Sequence, residues 1–355
     1  MSNRNPEPSR AFEPKALVAM SPEECGSKEL PTCSCRQEKE SLSTPKSKPE
    51  WLLGLVGLSL FALLSCWGSA VEQAKTVEKK QEGLDVLEKK AAKEPGKHRK
   101  SAGYEVVLIP AGTFTMGCTA EQGGDCEQEE KPSHEVDIRQ SFYLMKSEVT
   151  QGLYQKIMGN NPSVFHTCGK DCPVENVSWL DALSFANKLS EAEGLEACYQ
   201  SNANGSLVAW SKGLRCEGWR LPTESEWERA ARGGQPMKYA GSNELGTVGW
   251  YSVNSGSKTH GVCGKSKNGY GLCDMSGNVW EWVWELHGEY KDGSVIDPLG
   301  SLTVPQGEAS SAYRSIRGGA WGLDDRFSRV SHRSSGTPAA RQLDLGFRLC
   351  RSNLE

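Results

Sequence analysis

The chain has 355 residues, 24% of them charged and 37% hydrophobic, with 38 Gly and 11 Trp. This shift towards glycine and tryptophan excludes a mostly helical, Leu/Ala-rich protein and leaves room for one or two ordinary domains. A formal net charge of −4 offers no basic footprint to a polyanion, so nucleic acid is not an expected partner.

Residues 1–50 are rich in Pro, Ser, Glu and Lys and show no hydrophobic period, which predicts disorder or a stretch that is not translated. From 51 to 70 there is no charged residue, and Lys46 and Lys48 precede the run. Basic flank, apolar core and small residues form the layout of an export signal or a membrane anchor. Leu63-Leu-Ser-Cys66 resembles a bacterial lipobox, which makes Cys66 a candidate for lipidation; a transmembrane span is the alternative. Both readings put the C-terminal part outside the cytoplasm, in the cell envelope, because the basic flank stays inside. Residues 71–102 read as a charged linker.

The domain spans 103–355 as a mosaic of short elements. Val106–Ile109 reads as a strand ended by Pro110 and Gly112, with Phe114 and Met116 alternating in a second and Phe142–Met145 forming a third. Thr150 caps a short helix towards Met158. Ser178 caps a longer one whose Ala182, Phe185, Ala186 and Leu189 make one apolar stripe. Thr223-Glu-Ser-Glu226 is a capping box for a helix to about Arg232, stopped by Gly233-Gly234. Long Gly/Asn/Ser-rich loops separate these pieces, which predicts a mixed α+β fold of low regular content.

Thirteen cysteines are far more than a reducing compartment usually leaves without a metal or catalytic role. Eight fall into sequence-near couples: Cys118 and Cys126, Cys168 and Cys172, Cys198 and Cys216, Cys263 and Cys273. Each couple can close a short loop as a disulfide, although count alone does not give connectivity. Zinc on Cys168 and Cys172 is the competing reading, but no second Cys/His array completes it. Cys350 is left over.

Ile109-Pro-Ala-Gly-Thr-Phe-Thr-Met-Gly117, Glu148-Val-Thr150, Pro173-Val-Glu-Asn-Val-Ser-Trp179, Gly218-Trp-Arg-Leu-Pro-Thr-Glu-Ser-Glu-Trp-Glu228, Gly271-Leu-Cys-Asp-Met-Ser-Gly-Asn-Val-Trp-Glu-Trp282, Arg317-Gly-Gly-Ala-Trp321 and Gly346-Phe-Arg348 stand in order along the chain. They resemble the landmarks of the formylglycine-generating enzyme, or sulfatase-modifying factor, domain. The resemblance implies the formylglycine-generating-enzyme and C-type-lectin-like type of α+β fold. It does not by itself carry an activity.

Asp274-Met-Ser-Gly-Asn-Val-Trp-Glu281 places a carboxylate at each end of a Gly-containing turn, and hard oxygen ligands at short spacing suit Ca²⁺. If 279–285 is extended, Trp280, Trp282 and Trp284 share one face and Glu281 takes the other. The resemblance implies a calcium site on Asp274, the carbonyls of Gly277 and Val279, and Glu281. The family's second calcium site would fall around Asn254, where this chain has no carboxylate up to His260. The family's oxidase holds Cu(I) on two cysteines in the loop after the Gly-Gly-aromatic motif, whereas residues 317–333 here contain none. Copper is therefore not expected, and thiol-oxidase chemistry reads as lost. Trp321, Asp325, Arg326, Arg329, His332 and Arg333 become candidates for a cleft that binds a peptide, glycan or small polar ligand, with an internal salt-bridge network as the bland alternative. Two other functions stay open: an oxidoreductase of the formylglycine-generating type and a structural cell-envelope protein.

Overall fold

The computed structural model describes residues 103–201, 208–300 and 312–354. The expected anchor at 51–70, its Cys66 and the linker up to 102 lie outside the described residues. No helix among the described residues is long and apolar enough to cross a membrane.

Strands β1 (Val106–Ile109), β2 (Gly112–Met116), β3 (His134–Ile138) and β4 (Phe142–Met145) come first, followed by helices α1 (Gln151–Met158) and α2 (Trp179–Ala192). Short strands β5 (Gln200–Ser201) and β6 (Val208–Ala209), then α3 (Glu224–Arg232) and α4 (Leu245–Val248), precede β7 (Trp280–Leu286). The chain closes with β8 (Val295–Ile296), β9 (Arg314–Arg317), β10 (Arg333–Gly336), β11 (Leu345–Gly346) and β12 (Cys350–Ser352). The strands form sheets ordered β1-β4-β12, β10-β9-β7-β11, β2-β3-β8 and β5-β6. The predicted helices start where their caps stand. The Thr150 hydroxyl accepts from Leu153 N, Ser178 and Asp181 exchange a capping box, and Thr223 and Glu226 exchange another. Gly159 and Gly233 end α1 and α3 in the left-handed region (φ 85° and 60°), where a Cβ would be strained.

β7 is the wall between two cores. Trp280, Trp282 and Trp284 pack with Trp179, Phe185 and Phe347, while Val283 on the other face joins Trp227, Ile109 and Phe142. The expected alternation is present, but both faces are buried, so Glu281 lies in the interior at 0% exposure.

Every residue of α3 is buried, including Glu224, Glu226, Glu228, Arg229 and Arg232. Burying these charges is tolerable only because each finds a partner. Arg220 grips Glu226 with two bonds of 2.7 and 2.8 Å, and Arg229 donates to the Pro110 and Ala111 carbonyls (2.8 and 2.9 Å), tying the β1–β2 turn down. Arg317 reaches both Glu228 and Glu224, and Arg333 takes Glu224 from the other side. α3 thus binds the sheets through these ionic ties as well as through the apolar stripe of Trp227, Ala230 and Ala231.

All four cysteine couples are disulfides, and Cys350 is free and buried. The zinc alternative on Cys168 and Cys172 gives way to a bond between them. Cys198–Cys216 closes the longest loop, with a separation of 18 residues. Its replacement by Ser at both positions is expected to lower the unfolding free energy by about 3 kcal/mol, measured by urea unfolding. A loss below about 1 kcal/mol would mean that the surrounding core already confines this loop in the unfolded chain.

Candidate functional site

The turn at 274–281 carries two buried carboxylates, Asp274 and Glu281, and folds against a third, Glu148. Asp274 opens it with φ 55°, and Gly277 follows with φ 87°, where a Cβ would stand 2.3 Å from the Trp250 carbonyl oxygen; only glycine fits there. Asp274 Oδ2 accepts from the Cys263 amide (2.6 Å), and its Oδ1 is buried without a partner. Glu148, carried by the stretch between β4 and α1, accepts from Asn278 Nδ2 (3.1 Å) through Oε1, and its Oε2 is likewise buried and unpartnered. Glu281 accepts two bonds of 2.7 Å from Arg348 and one of 2.9 Å from Trp227 Nε1. Among the described residues Arg348 is therefore the single cation paired within a group of three acids. Burial, and then the Asp274 charge, push the Glu148 carboxyl well above its usual range; burial likewise lifts Asp274 to about 6, with Glu281 adding to the rise. Two buried carboxyl oxygens with unused lone pairs, on Asp274 and Glu148, are hard donors of the kind a divalent cation takes. The Cys263–Cys273 disulfide stands beside this site.

The segment after β9 turns through Gly318 and Gly319 (φ 100° and 75°) and presents a different surface. Trp321 is half-buried and meets Phe165 edge-on at 5.4 Å. Asp325 is exposed and accepts from the Tyr239 hydroxyl (3.0 Å), while exposed Arg326 lies over the Phe327 ring at 4.5 Å. The next three candidates turn inward. Arg329 donates to Glu130 through two bonds of 2.7 and 2.5 Å, His332 is boxed by Trp280 and Phe327, and Arg333 holds Glu224 at 2.6 and 2.9 Å.

Residues 91–353 match the Sulfatase-modifying factor enzyme 1-like domain. The chain belongs to that family. Among its relatives, the Chaperone protein LppX of Paenibacillus barcinonensis is 32% identical over 243 residues, 59% of this chain and 80% of the relative. The Formylglycine-generating enzyme of Streptomyces coelicolor is 30% identical over 302 residues, 73% of this chain and 93% of the relative. Among solved structures, Treponema denticola variable protein 1 superposes with a TM-score of 0.62 at 33% identity, covering 72% of this chain and 99% of that one.

Within this family frame, the expected cleft is narrower than its six candidates. Trp321, Asp325 and Arg326 are at the surface, but Arg329, His332 and Arg333 are buried ties between the 318–333 segment, the 127–130 turn and α3, so they do not line an open cleft. Charge partners far away in sequence, Glu130 and Glu224, drew them in. The four residues proposed for calcium lie on one turn, yet Glu281 faces a guanidinium that the turn motif did not reveal. Glu148 is the residue that motif reading missed. Its signal was a carboxylate within a landmark, Glu148-Val-Thr150, with no obvious solvent role.

Proposed function

We propose that this protein is a non-oxidase, calcium-stabilised member of the family that binds a ligand through the face around Trp321, outside the cytoplasm. The observation that carries the reading is the thiol inventory. Residues 317–333 hold no cysteine, and the one free thiol among the described residues, Cys350, is buried on β12 and accepts from Arg220 at 2.8 Å. A buried single sulfur does not make the two-thiolate site that Cu(I) selects. Asp274 and Glu148 would hold the calcium, with the Gly277 and Val279 carbonyls and Glu281 completing the set. A bound ion there supplies structural charge balance and no chemistry on a substrate. Four disulfides support an oxidising, extracytoplasmic location, with the 51–70 segment as the membrane anchor. Similarity to a relative named as a chaperone favours a polypeptide as the ligand.

Incubating the purified protein with Cu(I) and a Cys-x-Pro-x-Arg peptide under oxygen is expected to give neither stoichiometric copper binding nor aldehyde. Copper held by sulfur together with oxygen-dependent aldehyde formation would return the protein to the oxidases.

A further inference from the structure

Next to Trp321 the loops at 165–172 and 258–261 line an open recess of about 570 Å³, a volume in the range of ligand sites. Its walls are tied on both sides. The Cys168–Cys172 disulfide braces one side, with Cys168 Sγ 3.3 Å from the Thr259 carbonyl oxygen. On the other, His260 stacks on Trp250 at 3.8 Å, donates from Nε2 to the Ser255 carbonyl (2.6 Å) and donates its backbone N–H to Asn278 Oδ1 (3.0 Å). Thr259 is fully buried among the lining residues, and its hydroxyl has no partner.

The charge of the recess is set by Lys170 and Lys258 against one carboxylate, Asp171, and neither lysine has an ion-pair partner among the described residues. Phe165 closes the recess towards Trp321, beyond which Val164, Val253 and Leu343 are 54%, 79% and 43% exposed. Hydrogen bonds from Ser252 N to the Leu323 carbonyl and from Trp321 Nε1 to the Leu343 carbonyl join these loops into one ledge. Asp324 and Asp325 border the ledge at the 324–325 turn. The surface is thus basic in the recess and apolar on the ledge, with exposed Asp324, Asp325 and Arg326 together at that turn.

We infer that this recess and ledge form a binding site for an acidic peptide, with an Asp or Glu side chain seated between Lys170 and Lys258 and a neighbouring apolar side chain on the Phe165–Trp321 ledge. Aliphatic side chains exposed beside the aromatic pair favour an apolar peptide residue over a sugar ring, whose hydroxyls would lose hydrogen bonds on valine and leucine. This site rests on the ligand-binding reading above and names its substrate class.

The test is to pan a random dodecapeptide display library on the purified full chain, alongside the Trp321→Ala and the Lys170→Glu/Lys258→Glu variants, with an oligogalacturonide as the acidic-sugar probe. The expected result is enrichment of peptides pairing Asp or Glu with aromatic or aliphatic residues, bound at least about tenfold more weakly by both variants, and more weakly as salt rises. Peptides lost on Trp321→Ala but retained by the double lysine variant would overturn the recess and leave the binding face standing. Binding of the oligogalacturonide in place of any peptide would overturn the peptide class. Absence of any ligand sensitive to Trp321→Ala would overturn the binding reading itself, and with it this site. The substituted side chains are at the surface, so an unchanged melting temperature verifies folding of each variant.

Discussion

Replacing Glu224 with Ala is expected to lower the unfolding free energy by about 3–5 kcal/mol, the cost of leaving buried guanidinium groups without their partner. Glu224 stands at the start of α3 with 4% exposure. It receives two bonds from Arg333 (2.6 and 2.9 Å), one from Arg317 (3.3 Å) and one from the Ser315 hydroxyl (3.1 Å). Truncation therefore removes an anchor shared by α3, β9 and β10, while Arg333, 3% exposed, keeps its charge away from water. The same residue gives the domain an acid sensitivity. Burial opposes ionisation of Glu224, but the Arg333 and Arg317 charges outweigh it and hold the carboxyl at about 2, below its ordinary 4.5. A depressed folded pKa contributes stability above the unfolded value and loses it on acidification, so this contribution of about 3 kcal/mol disappears between pH 4.5 and about 2. Urea unfolding of wild type and Glu224→Ala at pH 7 and pH 3 checks both parts: the gap between them is expected to shrink at the lower pH. A loss under about 1 kcal/mol at pH 7 would mean that Glu228 alone suffices for the two guanidiniums.

Calcium is expected to stabilise EDTA-treated protein at neutral pH by about 3 kcal/mol at a hundredfold excess over its dissociation constant, since an ion that binds only the folded chain acts by mass action. The physical source is the charge imbalance around the 274–281 turn, where Glu148, Asp274 and Glu281 share one guanidinium. Two of their oxygens are buried with no donor. Without a cation, burial and mutual repulsion push the Glu148 and Asp274 carboxyls towards protonation. Glu148→Gln separates this account from a generic salt effect, because it is expected to act in opposite directions. In EDTA the variant gains stability because a buried Gln is already neutral, whereas burial raises the Glu148 carboxyl so that it must take up a proton at neutral pH. In calcium it falls behind wild type because the increment is gone. Terbium luminescence excited through tryptophan gives an independent reading, as Trp227 donates to Glu281 at 2.9 Å. Equal calcium increments in wild type and Glu148→Gln would remove Glu148 from the site, and no increment in wild type would remove the ion.

What could be read along the chain was local chemistry. The caps at Thr150, Ser178 and Thr223 predicted their helices because a side-chain oxygen satisfies amides within three residues of itself. Given an extended backbone over 279–285, period two put Trp280, Trp282 and Trp284 on one face for a similarly short-range reason, and the cysteine couples closed on near neighbours. The ordered landmarks carried the family. The absence of thiols from 317–333 was equally plain in the sequence. The fate of each charge was not, because it depends on partners brought from far along the chain. Glu281 and Arg348 are 67 residues apart, Arg329 and Glu130 are 199, and Arg333 and Glu224 are 109. A charged side chain in a loop reads as solvated until the fold supplies a buried counter-charge that outweighs its hydration. Tertiary packing thus turned half of the expected cleft into interior ties, joined Glu148 to the acidic turn, and left Trp321 beside a basic recess formed by loops about 90 residues apart in the chain.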